Sequence, residues 1–181
     1  MEEFVTDLKA DQLAALRVEL LTITFGGTIQ VGEFVTADSF TVPALVATGD
    51  TPMGAAVMRG LELLRERKSV YKQAGVDYFR PWMIIITDGE PTDTGVWETA
   101  ADKLRQEEER KGVLVYPIGV ERADLTTLSR FSGKRTPLRL KGFAFRELFQ
   151  WLSKSLSIVS QSRPGDQVPL PPVGWSEIDT A

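Results

Sequence analysis

The sequence predicts one α/β domain built on a doubly wound, mostly parallel sheet with helices on both faces. Apolar runs of strand length alternate with amphipathic helical segments along the 181 residues, an order typical of such sheets. Met83–Ile86 is a continuous apolar run rich in β-branched residues, closed by Asp88-Gly89 and Pro91. A run this short indicates a strand that is buried on both faces and ends in a turn. We therefore expect a buried strand near the centre of the sheet.

Composition excludes several classes of function. The net charge is -4 and the pI is near 5.0, so we expect neither nucleic-acid nor anionic-membrane binding. The sequence has no cysteine and no histidine, which excludes disulfides, thiolate sites, Ser-His-Asp catalysis and imidazole-bound zinc. No apolar run is long enough to span a membrane, and Met1-Glu2-Glu3 is unlike a secretory signal. We expect a soluble, cytoplasmic protein.

The first fifty residues predict a helix followed by a hairpin. Glu2 to about Leu16 has apolar residues near helical spacing, with Phe4, Leu8, Leu13 and Leu16 on one face. Val18–Phe25 reads as a strand that stops at Gly26-Gly27, and Thr28–Val35 as the edge strand that pairs with it. A polar connection from Thr36 leads to Asp50.

The pattern changes to helix at Pro52. Proline suits the first helical position, and Asp50 or Thr51 is the expected cap. The apolar face consists of Met53, Ala56, Val57, Gly60, Leu61 and Leu64.

The second half repeats the strand–helix alternation. The predicted elements are the strand Trp82–Thr87, the helix Val96–Lys111, the strand Val113–Val120, a short helix from Asp124 to Phe131, the strand Thr136–Leu140, and the helix from Phe143 to about Ser160. We interpret Glu107–Glu109 as an exposed helix face.

The chain divides into a domain at residues 1–162 and a tail at 163–181. The tail is rich in proline and glycine, as in Val168–Val173, so we expect it to be extended or disordered and outside the core. Val173 and Trp175 are the residues through which it would dock on the domain surface.

Thr51 and Asp88 form the candidate site. Thr51 precedes one helix and Asp88 follows the buried strand, and in a doubly wound sheet both positions lie at the carboxyl ends of the strands. A hydroxyl and a carboxylate there are suitable ligands for Mg²⁺, and the helix N-terminus would favour an anionic group of a partner. Taken singly, Asp-Gly is a common turn and Thr-Pro a common helix start.

Two segments resemble metal-site motifs of von Willebrand factor type A domains. They are Ile84–Asp93 and Gly49–Ala56. The segment from Arg17 to Gly26 adds a similarity to the bacterial TerY-like group linked to tellurium-resistance clusters. The resemblance covers about Phe4 to Ser160. It implies a protein–protein interaction module, not an enzyme, with Thr51 and Asp88 as ligands of a metal-ion-dependent adhesion site and a partner's acidic residue completing the Mg²⁺ shell.

The family's first strand and its Asp-x-Ser-x-Ser loop have no counterpart here. Asp38-Ser39 lacks that spacing, and Met1 falls within what resembles the following helix. In the family this strand is central, so its absence implies an incomplete site with weak or no metal binding. Three alternatives remain open. The true start lies upstream, which we favour; the gap is repacked; or another chain fills it, by strand addition or in an oligomer or strand-swapped dimer.

Two rival functions are weighed against this one. A haloacid-dehalogenase-like phosphatase needs a nucleophilic aspartate two residues before Asp88, where this chain has Ile86. The other is a metal-independent interaction domain, which keeps the fold and has lost its metal, and the missing loop makes it a serious contender. Glu90, Asp93 and Glu98 read as solvated loop acids rather than further ligands.

Overall fold

The computed structural model describes residues 1–44, 49–88 and 90–177, and it has an α/β fold. The helices are α1 Glu2–Ala10, α2 Gln12–Arg17, α3 Met53–Gln73, α4 Val96–Glu109, α5 Leu125–Ser129 and α6 Phe145–Gln161. The strands are β1 Glu19–Leu20, β2 Ile23–Gly26, β3 Thr28–Val31, β4 Val35–Thr36, β5 Trp82–Thr87, β6 Leu114–Gly119, β7 Leu138–Leu140 and β8 Ser176–Glu177.

The main sheet has the order β5-β6-β7-β8. Strands β5, β6 and β7 are parallel, with Met83 opposite Val115 and Ile118 opposite Leu138, and β8 is antiparallel to β7. The amino-terminal strands form two separate antiparallel pairs, β1 with β4 and β2 with β3. The predicted α/β architecture is confirmed, and the hairpin at Gly26-Gly27 is present.

Helices cover both faces of the main sheet. On one face, Phe4 of α1 and Trp151 of α6 pack with Tyr116 and Ile118 of β6. On the other face, α3 and α4 pack against Ile85 and Val115. Because β-strand side chains alternate between faces, β5 and β6 each contribute to both clusters. This is the doubly wound arrangement.

The predicted first helix is divided at Asp11. The carboxylate of Asp11 accepts hydrogen bonds from Leu13 N at 3.0 Å and Ala14 N at 3.1 Å and so begins α2. The break rotates the second helix relative to the first. Ala14 is therefore buried, whereas Leu13 and Leu16 are 44% and 71% exposed. The prediction that both leucines face the core is wrong.

The predicted strand Val18–Phe25 is also divided. Leu20 pairs with Val35, whereas Ile23 pairs with Val31, so its two halves have different partners. The apolar pattern indicated strand structure correctly but could not show that the pairing changes within it.

Strand β5 is less buried than its sequence indicates. Ile85 and Thr87 are buried, but Met83, Ile84 and Ile86 are only half-buried. The strand pairs with β6 on one side, and no strand within the described ranges pairs with the other side. The prediction of a strand buried on both faces is therefore only partly correct.

The described part of the carboxyl-terminal segment packs on the domain. Trp175 is 2% exposed, and its ring meets that of Trp151 edge-on at a centroid distance of 5.7 Å. Trp151 Nε1 donates to Pro171 O at 2.8 Å, and β8 extends the main sheet beyond β7. The expected docking through Trp175 is observed. The expectation that the segment stays outside the core is wrong, because Trp175 is part of it.

Glu108 belongs to the interior rather than to an exposed acidic face. It is 1% exposed and accepts hydrogen bonds from Ser132 Oγ at 2.8 Å, Gly133 N at 2.9 Å and Val115 N at 3.3 Å. Arg135 lies 3.3 Å from it. These partners compensate the buried charge and tie α4 to β6 and to the loop before β7.

None of the helices in the described part of the chain combines the length and the apolar character needed to cross a bilayer.

Candidate functional site

The residues predicted to form a site lie at the carboxyl ends of the parallel strands. Asp88 directly follows β5 and is exposed, and Thr51 lies half-buried ahead of α3. A pair of reciprocal bonds joins the two loops, because Thr51 N donates to Thr92 Oγ1 and Thr92 N donates to Thr51 O, each at 3.0 Å. The loop that begins at Asp88 is thereby fixed against Thr51. We call this edge, comprising residues 50–55, 88 and 90–97, the carboxyl rim.

Asp93 caps the amino terminus of α3 from the neighbouring loop. Its two carboxylate oxygens accept from Gly54 N at 3.2 Å and Ala55 N at 2.8 Å. Neither Asp50 nor Thr51 supplies the side-chain cap expected there. An aspartate here satisfies two otherwise unpaired donors and complements the helix dipole. A partner's anion would have to displace it to use this helix end.

Gly54 permits the close approach of α3 to the start of α4. A Cβ at this position would lie 2.3 Å from Trp97 Cα, a distance that no side chain tolerates. The glycine in the Thr51–Gly54 segment is therefore required by packing between the two helix starts. It allows the loop before α3 and the loop before α4 to lie side by side at the carboxyl rim.

Comparison with known proteins supplies the family. The family model described as "von Willebrand factor type A domain" matches residues 41–148, which is more than half of the chain. This chain belongs to the von Willebrand factor type A domain family. No curated protein matches it.

Two solved structures resemble this vWA domain in fold. One is the ArnB paralog VWA2 from Sulfolobus acidocaldarius, with 15% identity, a TM-score of 0.49 and 83% of this chain covered. The other is proximal thread matrix protein 1 from the mussel byssus, with 19% identity, a TM-score of 0.48 and 88% covered. The match spans only 39% and 43% of those two chains, respectively.

The acids near Asp88 and at the start of α4 in this vWA domain have separate roles. Glu98 Oε2 accepts from Gly95 N at 2.6 Å and closes the first turn of α4. Glu90 is exposed. Because the carboxylates of Asp93 and Glu98 both cap helices, they are not the solvated loop acids expected from the sequence, and they are engaged already. Asp50, Asp88 and Glu90 are the exposed carboxylates of the described rim.

The donor set limits what the carboxyl rim can hold. Within the described residues, no three acidic side chains cluster so as to hold a metal ion. Thr51 and Asp88 offer one hydroxyl and one carboxylate, whereas Mg²⁺ takes six oxygen ligands and readily keeps several waters. Two such donors fall short of that number, so they do not form a closed cage.

Little in the local sequence indicates that Thr92 and Asp93 are structural residues. Both follow the Asp-Gly turn at a distance where loop residues are usually solvated. Their roles depend on contacts with residues about forty positions away. An aspartate that caps a distant helix has no local sequence pattern, unlike Asp124, which caps its own helix through Thr126 N at 2.8 Å.

Proposed function

We propose that this chain is a protein-binding module whose docking surface is the carboxyl rim, with an incomplete Mg²⁺ site at Thr51 and Asp88. The observation that carries the proposal is the exposed Asp88 at the end of β5, next to a loop that is fixed against Thr51. A rigid loop reduces the entropy lost on binding. An exposed carboxylate is free to coordinate a cation.

The proposed partner is a protein that offers an acidic side chain. A cation held by few protein ligands has open positions, and a partner's carboxylate is a suitable ligand for one of them. The proposed role is binding rather than catalysis. Placement in the cytoplasm and in a TerY-like, tellurium-resistance-type bacterial system is also part of the proposal, supported only by the sequence resemblance.

Calorimetry with Mg²⁺ and Mn²⁺ tests the site. We expect weak binding by the unaltered chain, strengthened by an acidic peptide because the peptide supplies a missing ligand. The Asp88→Ala variant should lose the heat of binding. Glu90→Ala removes an exposed carboxylate from the same loop and should retain it. Binding that survives both Asp88→Ala and Thr51→Ala would overturn the assignment of the cation to this rim.

A metal-independent interaction domain is the second candidate. It is favoured by Asp93, which caps α3. Because this carboxylate is already engaged, the rim has fewer carboxylates free to bind a cation. If this candidate is correct, a protein partner captured by the chain should stay bound when a chelator is added, and Asp88→Ala should not weaken that complex. The two candidates therefore predict opposite effects of chelation.

A further inference from the structure

The carboxyl-terminal segment occupies a groove between α6 and the outer edge of β7. After α6, the chain reverses at a turn in which Asp166 N donates to Arg163 O at 3.0 Å and Arg163 N donates to Asp166 Oδ2 at 2.9 Å. Residues 166–177 then lie against Trp151 of α6 and end as β8 beside β7. We call these residues the tail segment, and the surface that they cover the proline groove.

The covalent structure of the tail segment restricts its conformation before it docks. The ring of proline holds φ near about −65° at Pro169, Pro171 and Pro172. Val168 and Leu170 each precede a proline, which confines them to extended or polyproline II conformations. Residues 166–174 accordingly form no helix or strand. The tail segment therefore loses little conformational entropy when it docks.

The contacts of the tail segment match the way in which proline-rich ligands bind aromatic grooves. A polyproline II helix makes no internal hydrogen bonds, and here Trp151 Nε1 donates to Pro171 O at 2.8 Å. Leu170 and Pro171 are half-buried. Pro169 and Pro172 lie three residues apart, hence on one face of such a helix, and both are exposed. The groove thus contacts one face of a Pro-x-x-Pro sequence and bonds its main chain.

One anchor side chain and a small number of polar contacts attach the end of the tail segment. Strand β8 has two residues. Lys141 N donates to Trp175 O at 3.0 Å, and Lys141 Nζ donates to Gly174 O at 3.4 Å. Trp175 is the anchor, but no described residue accepts a hydrogen bond from its buried indole N–H. A buried donor without a partner makes the docked state less stable.

We propose that the proline groove is a second protein-binding site, which accepts a proline-rich segment of a partner protein when the tail segment detaches. The tail segment is then an internal competitor that keeps the groove closed. All of its contacts lie outside the parallel ladder of β5, β6 and β7, so its release leaves that ladder intact. The site uses no residue of the carboxyl rim and does not depend on a cation.

The tail segment indicates the chemistry of the partner's segment. That segment is extended, contains Pro-x-x-Pro, and has an aromatic side chain four residues after the carbonyl that Trp151 binds, as Trp175 follows Pro171. A tethered competitor has an effective concentration of about a millimolar, so the partner must bind more tightly than the tail segment does. A second copy of this chain is a poorer occupant, because its segment makes the same contacts without the tether.

Amide hydrogen exchange on the unaltered chain tests whether the tail segment detaches. Lys141 N donates to Trp175 O, and Val120 N donates to Thr87 O at 2.9 Å. Both residues directly follow a strand of the main sheet. After correction for intrinsic rates, Lys141 should exchange at least about tenfold faster than Val120, since its bond opens with the tail segment and that of Val120 opens with the parallel ladder.

A fluorescein-labelled peptide that copies residues 166–177 tests the groove. The Trp175→Ala variant should bind it at least about tenfold more tightly than the unaltered chain does, because its own segment has lost the anchor and competes less. The bound peptide should slow exchange at Lys141 of this variant by about tenfold, since a carbonyl of the peptide accepts that bond. If Trp175→Ala does not fold, Trp175→Leu, which keeps part of the apolar anchor, takes its place.

Two matched controls accompany the peptide measurement. Val173→Ala truncates a residue of the tail segment that is 37% exposed, so this variant should bind the peptide as weakly as the unaltered chain. A peptide with alanine in place of its tryptophan should bind none of the chains. Asp88→Ala and a chelator should leave every affinity unchanged, which distinguishes failure of the groove from failure of the cation site.

Three outcomes would overturn the proposal. The first is exchange at Lys141 as slow as at Val120, which would mean that the tail segment detaches only when the domain unfolds. The second is an equal affinity of the peptide for the unaltered chain and the Trp175→Ala variant. The third is a dimer in sedimentation, with exchange at Lys141 slowing as the dimer forms, which would make a second copy the occupant.

Discussion

Strands β5 and β6 are adjacent, each has six residues, and both are rich in apolar side chains, yet they differ in burial. In β6 every residue after Leu114 is buried, with Val115 at 0% and Ile118 at 1% exposure. In β5, Ile84 and Ile86 are half-buried. The two strands share the same covering helices, so the covering layers do not explain the difference.

The number of neighbouring strands explains it. β6 lies between β5 and β7, whereas β5 has a described strand on one side only. Side chains at a sheet edge lose contacts with the next strand, even when helices cover them. An apolar run indicates that a strand is suited to burial. The number of neighbouring strands determines how far its side chains are buried.

The two edges of the main sheet extend the comparison. At the far edge, β8 and Trp175 cover β7, and Lys141 N donates to Trp175 O at 3.0 Å. At the near edge, no described strand pairs with β5 on the side away from β6. One edge is thus covered by a segment of the same chain, and the other has no neighbouring strand among the described residues.

The largest expected effect comes from truncating Trp175, which covers the edge of the main sheet at β7. Trp175→Ala removes a ring that is 2% exposed and packed on Trp151, so the free energy of unfolding should fall by about 4 kcal/mol. Urea denaturation measures it. Val173→Ala, a truncation at a residue that is 37% exposed, should change stability by less than about 0.5 kcal/mol. A loss below about 1 kcal/mol for Trp175→Ala would show that the carboxyl-terminal segment does not close this edge.

An isoleucine-to-alanine pair compares the two strands directly. Ile118→Ala in β6 should cost about 3 kcal/mol, because the site is buried and leaves a cavity. Ile84→Ala in β5 should cost about 1 kcal/mol, since a half-buried side chain removes less apolar surface from water. Equal costs, measured by urea denaturation, would mean that β5 is as enclosed as β6.

Much of this fold follows from local patterns. The strands at β5, β6 and β7, the cap at Asp124 and the long helices have signals contained within a few neighbouring residues, and the structure has them near their predicted positions. Two of the errors have a common cause. The burial of Glu108 and the burial of Trp175 depend on residues far away in the sequence, whereas the exposure of Leu13 follows from the local break at Asp11.

The candidate site was predictable to the same extent. Strand ends and helix starts at Thr51 and Asp88 could be inferred from apolar runs and turn residues. The capping of α3 by Asp93 could not, because it joins residues 38 and 39 positions apart. That contact also changes the chemistry of the rim, since it removes a carboxylate from those free to bind a cation.

The smallest expected effect concerns Tyr116, whose ring lies in the well-buried strand β6. Burial raises the pKa of its hydroxyl above the ordinary value, which is about 10. Arg135 lies over the ring, 4.6 Å from its centroid, and no described residue hydrogen-bonds the hydroxyl. The folded chain therefore keeps a proton that the unfolded chain releases. Stability should be unaffected below about pH 10 and should fall as the pH rises through the raised pKa.

The Tyr116→Phe variant isolates this contribution. At pH 7 the unfolding free energy should change by less than about 1 kcal/mol, because the lost hydroxyl had no hydrogen bond to lose. Between about pH 9 and 11 the urea midpoint of the variant should fall less steeply than that of the unaltered chain. An unchanged slope in Tyr116→Phe would mean that this hydroxyl reaches water, and that β6 is less enclosed than its contacts indicate.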